Sequence, residues 1–169
     1  MVRAVLCACA LLATSLARPA AAQDRPGPAL ELAAGWVGFA DDGIVSESLV
    51  GGVVRLYLLP RISVGPEIVY LAGPHHSHLV ITGNLTFDFL APANGRPRRV
   101  TPFVVAGGGL YQTRETFFTG PYTSSEGAFT AGGGVRARLG DRAIVGVDMR
   151  IGWELHIRVN GVVGLQLGR

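Results

Sequence analysis

Between His78 and Leu90 the chain reads HLVITGNLTFDFL and alternates almost without a break. Leu79, Ile81, Gly83, Leu85, Phe87 and Phe89 form one set; Thr82, Asn84, Thr86 and Asp88 form the other. Successive side chains of a β-strand point to opposite faces, so this segment has an apolar face and a polar face that carries a carboxylate. The same period of two recurs from Ala29 onward, in segments bounded by Gly, Pro, Asp and Asn. It predicts about eight strands, near 29–40, 48–58, 62–72, 78–90, 99–114, 126–139, 143–154 and 156–168. No stretch carries a sustained 3.6-residue stripe, and the 24 glycines argue further against helices.

The connections are of two kinds. Leu59-Pro60-Arg61 and Gly140-Asp141-Arg142 are tight, whereas DDGIVSE, GPHHSH and TFFTGPYTSS are longer and polar or aromatic. Short turns at one end and longer loops at the other are the arrangement of a membrane-spanning β-barrel. Two links depart from it: APANGRPRR is long for a turn, and the last outer link, near Leu155, is almost absent. An even number of strands places both termini at the same end.

Sorting the strands by parity separates an apolar set, exemplified by Val145, Val147, Met149, Ile151 and Trp153, from a set that holds the charges. The latter contains Glu31, Arg55, Glu67, Asp88, Arg136, Arg138, Asp148, Arg150, Glu154 and Arg158, five acids and five bases. Leu49, Val53, Val69 and Leu71 share that face, and the fifth strand, with Gly107-Gly108-Gly109, has no readable phase. In a soluble lipocalin-like barrel around an apolar ligand the ten charges would point into water and need no matching. Inside a small membrane barrel they would be confined together, where an unpaired ion costs several kcal/mol, and would have to neutralise one another. The balanced count favours the membrane. Trp36, Phe39, Tyr70 and Trp153 near the outer strand ends, and Tyr57, Phe87, Phe89 and Phe103 near the other ends, are placed as two aromatic girdles, although Phe39 and Tyr57 have the parity of the charged face.

The front of the chain is consistent with export. Arg3, an apolar run from Ala4 to Leu16 and the small residues Ala20-Ala21-Ala22 read as a secretory signal peptide over 1–22, leaving a barrel domain over 23–169. The run is too short for a spanning helix, which needs about 20 apolar residues. Cys7 and Cys9 both lie within it, so the exported part would have no cysteine and no disulfide staple. All 15 basic residues are Arg; without Arg3 and Arg18, 13 remain against 12 acids, so the basic balance of the whole chain says little about partners. Neither clustering nor motif points to nucleic acid.

These features resemble the eight-stranded bacterial outer-membrane barrels similar to OmpA and OmpX, over essentially all of 29–169. VGPEIVYLAGP (64–74) followed by TGNLTFDF (82–89) is similar to a segment of small barrels in that group. The resemblance implies an all-β, closed, antiparallel up-and-down transmembrane barrel in the bacterial outer membrane. Outer-membrane lipid, lipopolysaccharide and the barrel-insertion machinery are the partners it implies, for a monomer without a cofactor. Members usually end on an aromatic residue that this machinery recognises, whereas this sequence ends Leu165-Gln166-Leu167-Gly168-Arg169. An eight-stranded barrel leaves an interior that side chains fill. Function is therefore expected in the outer loops, above all Thr116 to Ser125 with Phe117, Phe118 and Tyr122, rather than in a wide pore.

Catalysis is not expected. His75-x-Ser77 resembles the His-x-Ser of outer-membrane lipid A deacylases, in which a histidine activates a serine nucleophile and an acid orients the histidine. That motif continues with Asn, and here the next residue is His78. Asp88, eleven residues beyond Ser77, lies about 37 Å away along a strand at about 3.4 Å per residue and cannot orient His75. Only Glu115 or Glu126 could approach from the next outer loop. Histidines 75, 76 and 78 could also ligate a metal, but adjacent His75 and His76 seldom hold one ion without a third group from elsewhere. The expectation is a solvated polar loop without a metal. Gly107 to Gly109 and Gly132 to Gly134 are not phosphate loops, since no Lys-Ser/Thr follows; they mark bends or room for bulky neighbours.

Overall fold

The alternating segments pair with their neighbours in chain order. In the computed structural model, which describes residues 25–40, 44–73, 76–93, 98–117 and 120–168, they close into a single barrel. The strands are β1 (Ala29–Ala40), β2 (Ile44–Leu59), β3 (Ile62–Ala72), β4 (His76–Asp88), β5 (Val100–Phe117), β6 (Gly120–Leu139), β7 (Ala143–Gly152) and β8 (His156–Gln166). β1 pairs antiparallel with β2 from Ala29↔Arg55 to Ala40↔Ile44, and with β8 from Ala29↔Gln166 to Phe39↔His156. Closure gives each strand two partners, so the barrel wall has no free edge. β1 starts and β8 ends at one end of the barrel, the terminal end; the other is the loop end. The expected signal peptide lies outside the described residues.

Parity decides which solvent each face meets. Leu85, Val147 and Val163 point outward and are 54%, 61% and 57% exposed, whereas Glu67 and Asn160 point inward and are 1% exposed. An apolar exterior around a polar interior is the reverse of a water-soluble fold and matches a barrel wrapped in hydrocarbon. The lipocalin-like alternative needed the apolar faces of β4, β7 and β8 inside and fails on this parity. Trp36, Tyr70 and Trp153 near the loop end, and Phe87 and Phe89 near the terminal end, are outward and exposed. Phe103, expected in a girdle, is instead buried inside. Its strand could not be phased because Gly107, Gly108 and Gly109 carry no side chain to report a face.

Several boundaries move. β2 starts at Ile44, and β5 and β6 run on until Phe117 stands opposite Gly120. The expected loops 41–47 and 116–125 are therefore largely strand. Beyond the hydrocarbon the outward face meets water, so pairing continues without the apolar alternation that marks it in sequence. β7 stops at Gly152, and Trp153–Leu155 form a 3₁₀ turn with Leu155 at φ 44°.

The interior is narrow enough to need glycine. An added Cβ at Gly132 would lie 2.7 Å from Arg150 Cα and 2.9 Å from Arg150 Cγ, and one at Gly107 would collide with Asn84 Oδ1. These glycines give neighbouring strands and their inward side chains space.

Candidate functional site

The interior is layered from one end of the barrel to the other, because inward positions of adjacent strands come level with each other. Nearest the terminal end, Glu31 on β1 and Arg55 on β2 form an ion pair at 2.5 Å. Arg136 on β6 reaches both carboxylates of this layer, 3.3 Å from Glu31 and 3.5 Å from Asp88. The Tyr57 hydroxyl donates to Asp88 at 3.1 Å. Phe103 lies flat beneath the Arg136 guanidinium, 3.4 Å from its carbon, so a cation–π contact replaces some of the lost hydration. Arg138 lines the cavity at this end and, among the described residues, makes no ion pair, unlike the other arginines expected inside. It lies at the mouth, where water can solvate it.

Halfway up, one carboxylate organises the layer. Glu67 on β3 accepts hydrogen bonds from Arg158 at 2.8 and 2.9 Å, Arg150 at 2.9 Å, Asn84 at 2.7 Å and Thr82 at 3.2 Å. Arg150 also donates to Asp148 at 3.0 Å, and Asn160 donates to the other oxygen of Asp148 at 2.7 Å. Two guanidiniums thus meet two carboxylates from β3, β7 and β8. Charge-assisted hydrogen bonds of this kind make such a buried set tolerable.

Above it lies an apolar layer formed by Val37, Leu49, Val69, Leu71, Val80 and Tyr111. At the loop end a ring of polar aromatics closes the stack. His78 packs against Tyr111 with ring centroids 5.0 Å apart and against Phe39 at 5.5 Å, and Phe39 also meets His156 at 5.4 Å. Glu47 on β2 is fully buried and faces His76 and His78 of β4. It is in ion-pair contact with His76 and lies 3.3 Å from the Nε2 of His78. The six-residue segment expected to be a solvated loop therefore contributes two inward, strand-borne imidazoles.

Residues 6–164 match the family model described as outer membrane protein beta-barrel domain. The chain belongs to this family. Its barrel is similar to Neisserial surface protein A, with a TM-score of 0.72 and 9% identity over 83% of this chain and 97% of that one. It is also similar to the N-terminal β-barrel domain of Pseudomonas aeruginosa OprF, with a TM-score of 0.66 and 12% identity over 83% and 98%. A third likeness is to Ail, the attachment invasion locus protein of Yersinia pestis, with a TM-score of 0.58 and 8% identity over 84% and 98%. At these identities the likeness is one of fold. No curated protein matches the chain in sequence.

Other expected site residues of this outer-membrane barrel lie off the strand faces or outside the described residues. Glu154 lies in the 3₁₀ turn after β7 and not on a strand face, and its side chain is outside the described residues. His75 and Phe118 lie outside the described residues, as do the side chains of Phe117 and Tyr122. Ser77 has the outward parity of β4 whereas His76 and His78 have the inward one, so neither of these histidines shares its face. Glu47 was missed because DDGIVSE reads as a polar loop. The signal was the parity it shares with Leu49, Val53 and Arg55, carried one residue ahead of the apparent start of the strand at Ser48.

Proposed function

We propose that this chain is a plugged outer-membrane barrel, resident in the bacterial outer membrane after export by a cleaved signal peptide. It has a structural or surface-interaction role carried by its loop end, not an open pore or an enzyme. The observation that carries the reading is the solvent-excluded interior. Inward side chains in successive layers, from Arg55 through Glu67 and Arg158 to Val37 and Leu71, are 3% exposed or less. A water-filled channel needs a continuous wet path, and an eight-stranded barrel has room for side chains in its place.

The surface role is supported by the hairpin of β5 and β6. Residues 120–129 of β6 pair with β5 but have no partner on β7, whose register with β6 begins at Thr130. About ten residues at about 3.4 Å each leave, among the described residues, a stretch of about 34 Å of β6 without a strand partner on its β7 side, while β5 beside it stays paired with β4 as far as Glu115. Outer-membrane lipid, lipopolysaccharide and the barrel-insertion machinery are the surroundings this reading gives it, as a monomer. Planar-bilayer recording tests the plug: the folded chain is expected to give no stepwise conductance, and sustained unit steps would overturn the reading. Joint replacement Glu67→Ala and Arg150→Ala, which removes the central contact, is expected to introduce leak currents.

A further inference from the structure

Three groups able to ligate a metal ion converge at the loop end, from strands that do not pair with each other. One ligand atom from each of Glu47, His76 and His78 lies within 4.8 Å of the other two. β3 separates β2 from β4 in the wall, so it is the curvature of the barrel that brings Glu47 across to the two imidazoles. His76 and His78 are two residues apart on one strand and therefore share a face.

Four properties distinguish this cluster from an ordinary ion pair. The Glu47 side chain has no exposure, and among the described residues its carboxylate meets only the imidazoles of His76 and His78. A buried carboxylate left in that state calls for a cation. The His78 ring is fixed by Tyr111 and Phe39, and its Nδ1 lies 3.1 Å from Thr113 Oγ1. When Nδ1 donates there, the Nε2 lone pair points at Glu47, the second-sphere arrangement that holds a ligating imidazole in its binding tautomer. Gly73, just past β3, keeps the space between the ligands clear: a Cβ would lie 2.8 Å from His76 Nε2 and 2.9 Å from Glu47 Oε1. The fourth property is access, since the His76 side chain is 27% exposed and one side of the cluster opens to the mouth.

We propose that Glu47, His76 and His78 form a binding site for a divalent transition-metal ion of the zinc class at the loop end of the barrel. Two imidazoles and one carboxylate suit such an ion, with a fourth position left to water or an outside ligand. Bonds of about 2.1 Å place the ligand atoms of a tetrahedral ion about 3.4 Å apart, close to the spacing already held between His78 and Glu47. The three groups lie above the apolar layer, so the site is separate from the central plug and does not depend on it.

Titration of the untagged chain, folded in detergent micelles, with zinc by calorimetry and with cobalt by visible absorption tests the site. One equivalent is expected to bind in the micromolar range or tighter, and cobalt is expected to give the intense bands of a four-coordinate ion. Glu47→Gln, His76→Ala and His78→Ala are each expected to weaken binding at least tenfold. Gly73→Ala, which keeps all three ligands, is expected to weaken it as well by filling the space between them. His156→Ala removes a neighbouring imidazole and is expected to bind as the unaltered chain does. Circular dichroism and heat-modifiable gel mobility establish that each variant is folded. No saturable binding below millimolar metal by the folded unaltered chain would overturn the proposal. So would equal binding by the folded ligand variants, or a loss in His156→Ala as large as in His76→Ala.

Discussion

Glu67 shows what a single buried carboxylate does in this barrel. It accepts from Arg150, Arg158, Asn84 and Thr82, so its removal takes from Arg158 the carboxylate it pairs with among the described residues and leaves Arg150 with Asp148 alone, where water does not reach. Glu67→Ala is expected to cost about 3 to 5 kcal/mol in urea unfolding from lipid vesicles, the range for breaking one side of a buried ion pair. Arg138→Ala, at the mouth and without an ion-pair partner among the described residues, is expected to change stability by less than about 0.5 kcal/mol in the same measurement. Both residues were legible in the sequence as inward-facing charges. Their difference was not, because parity reports the face of a strand and leaves depth along the barrel and the identity of the partner unspecified. The pairing of Arg136 with Phe103 was hidden for a related reason: the glycines after Phe103 left its strand without a phase.

The strands embedded in hydrocarbon were the easiest to read. β1 and β3 occupy the spans their alternation predicts, 29–40 and 62–72, because every outward position must be apolar where it meets lipid. Elements that extend beyond that band lose the constraint, and the upper parts of β2, β5 and β6 looked like loops for that reason. Links at the loop end then depend on local backbone chemistry. Leu155 occupies the left-handed region at φ 44°, which costs a non-glycine residue about 1 to 2 kcal/mol, and its side chain is largely exposed. Asparagine tolerates that region better. Leu155→Asn is therefore expected to be neutral or to stabilise the barrel by up to about 1 kcal/mol in the same urea unfolding. A clear loss of stability would mean that Leu155 has an apolar neighbour worth more than the strain.

The molecule as a whole stands between two solvents, and a substitution on the outward face tells whether that face meets lipid or water. Val147→Arg, on the middle of β7 and pointing outward, is expected to cost about 2 to 4 kcal/mol when the barrel is unfolded from a bilayer. In a water-soluble barrel the same exposed site would tolerate arginine within about 0.5 kcal/mol. The central layer also bears on how the barrel is assembled. Glu67 finds Arg150 83 residues away in the chain and Arg158 91 residues away. Such distant partners meet only late, so local hairpins gain little from them and the rate of folding is held back by their separation. A sheet that lacks only β8 leaves Glu67 with one guanidinium in place of two and leaves Asp148 without Asn160. The polar interior thus works as a latch: it rewards the last strand to arrive and penalises any chain that enters the bilayer with its seam still open.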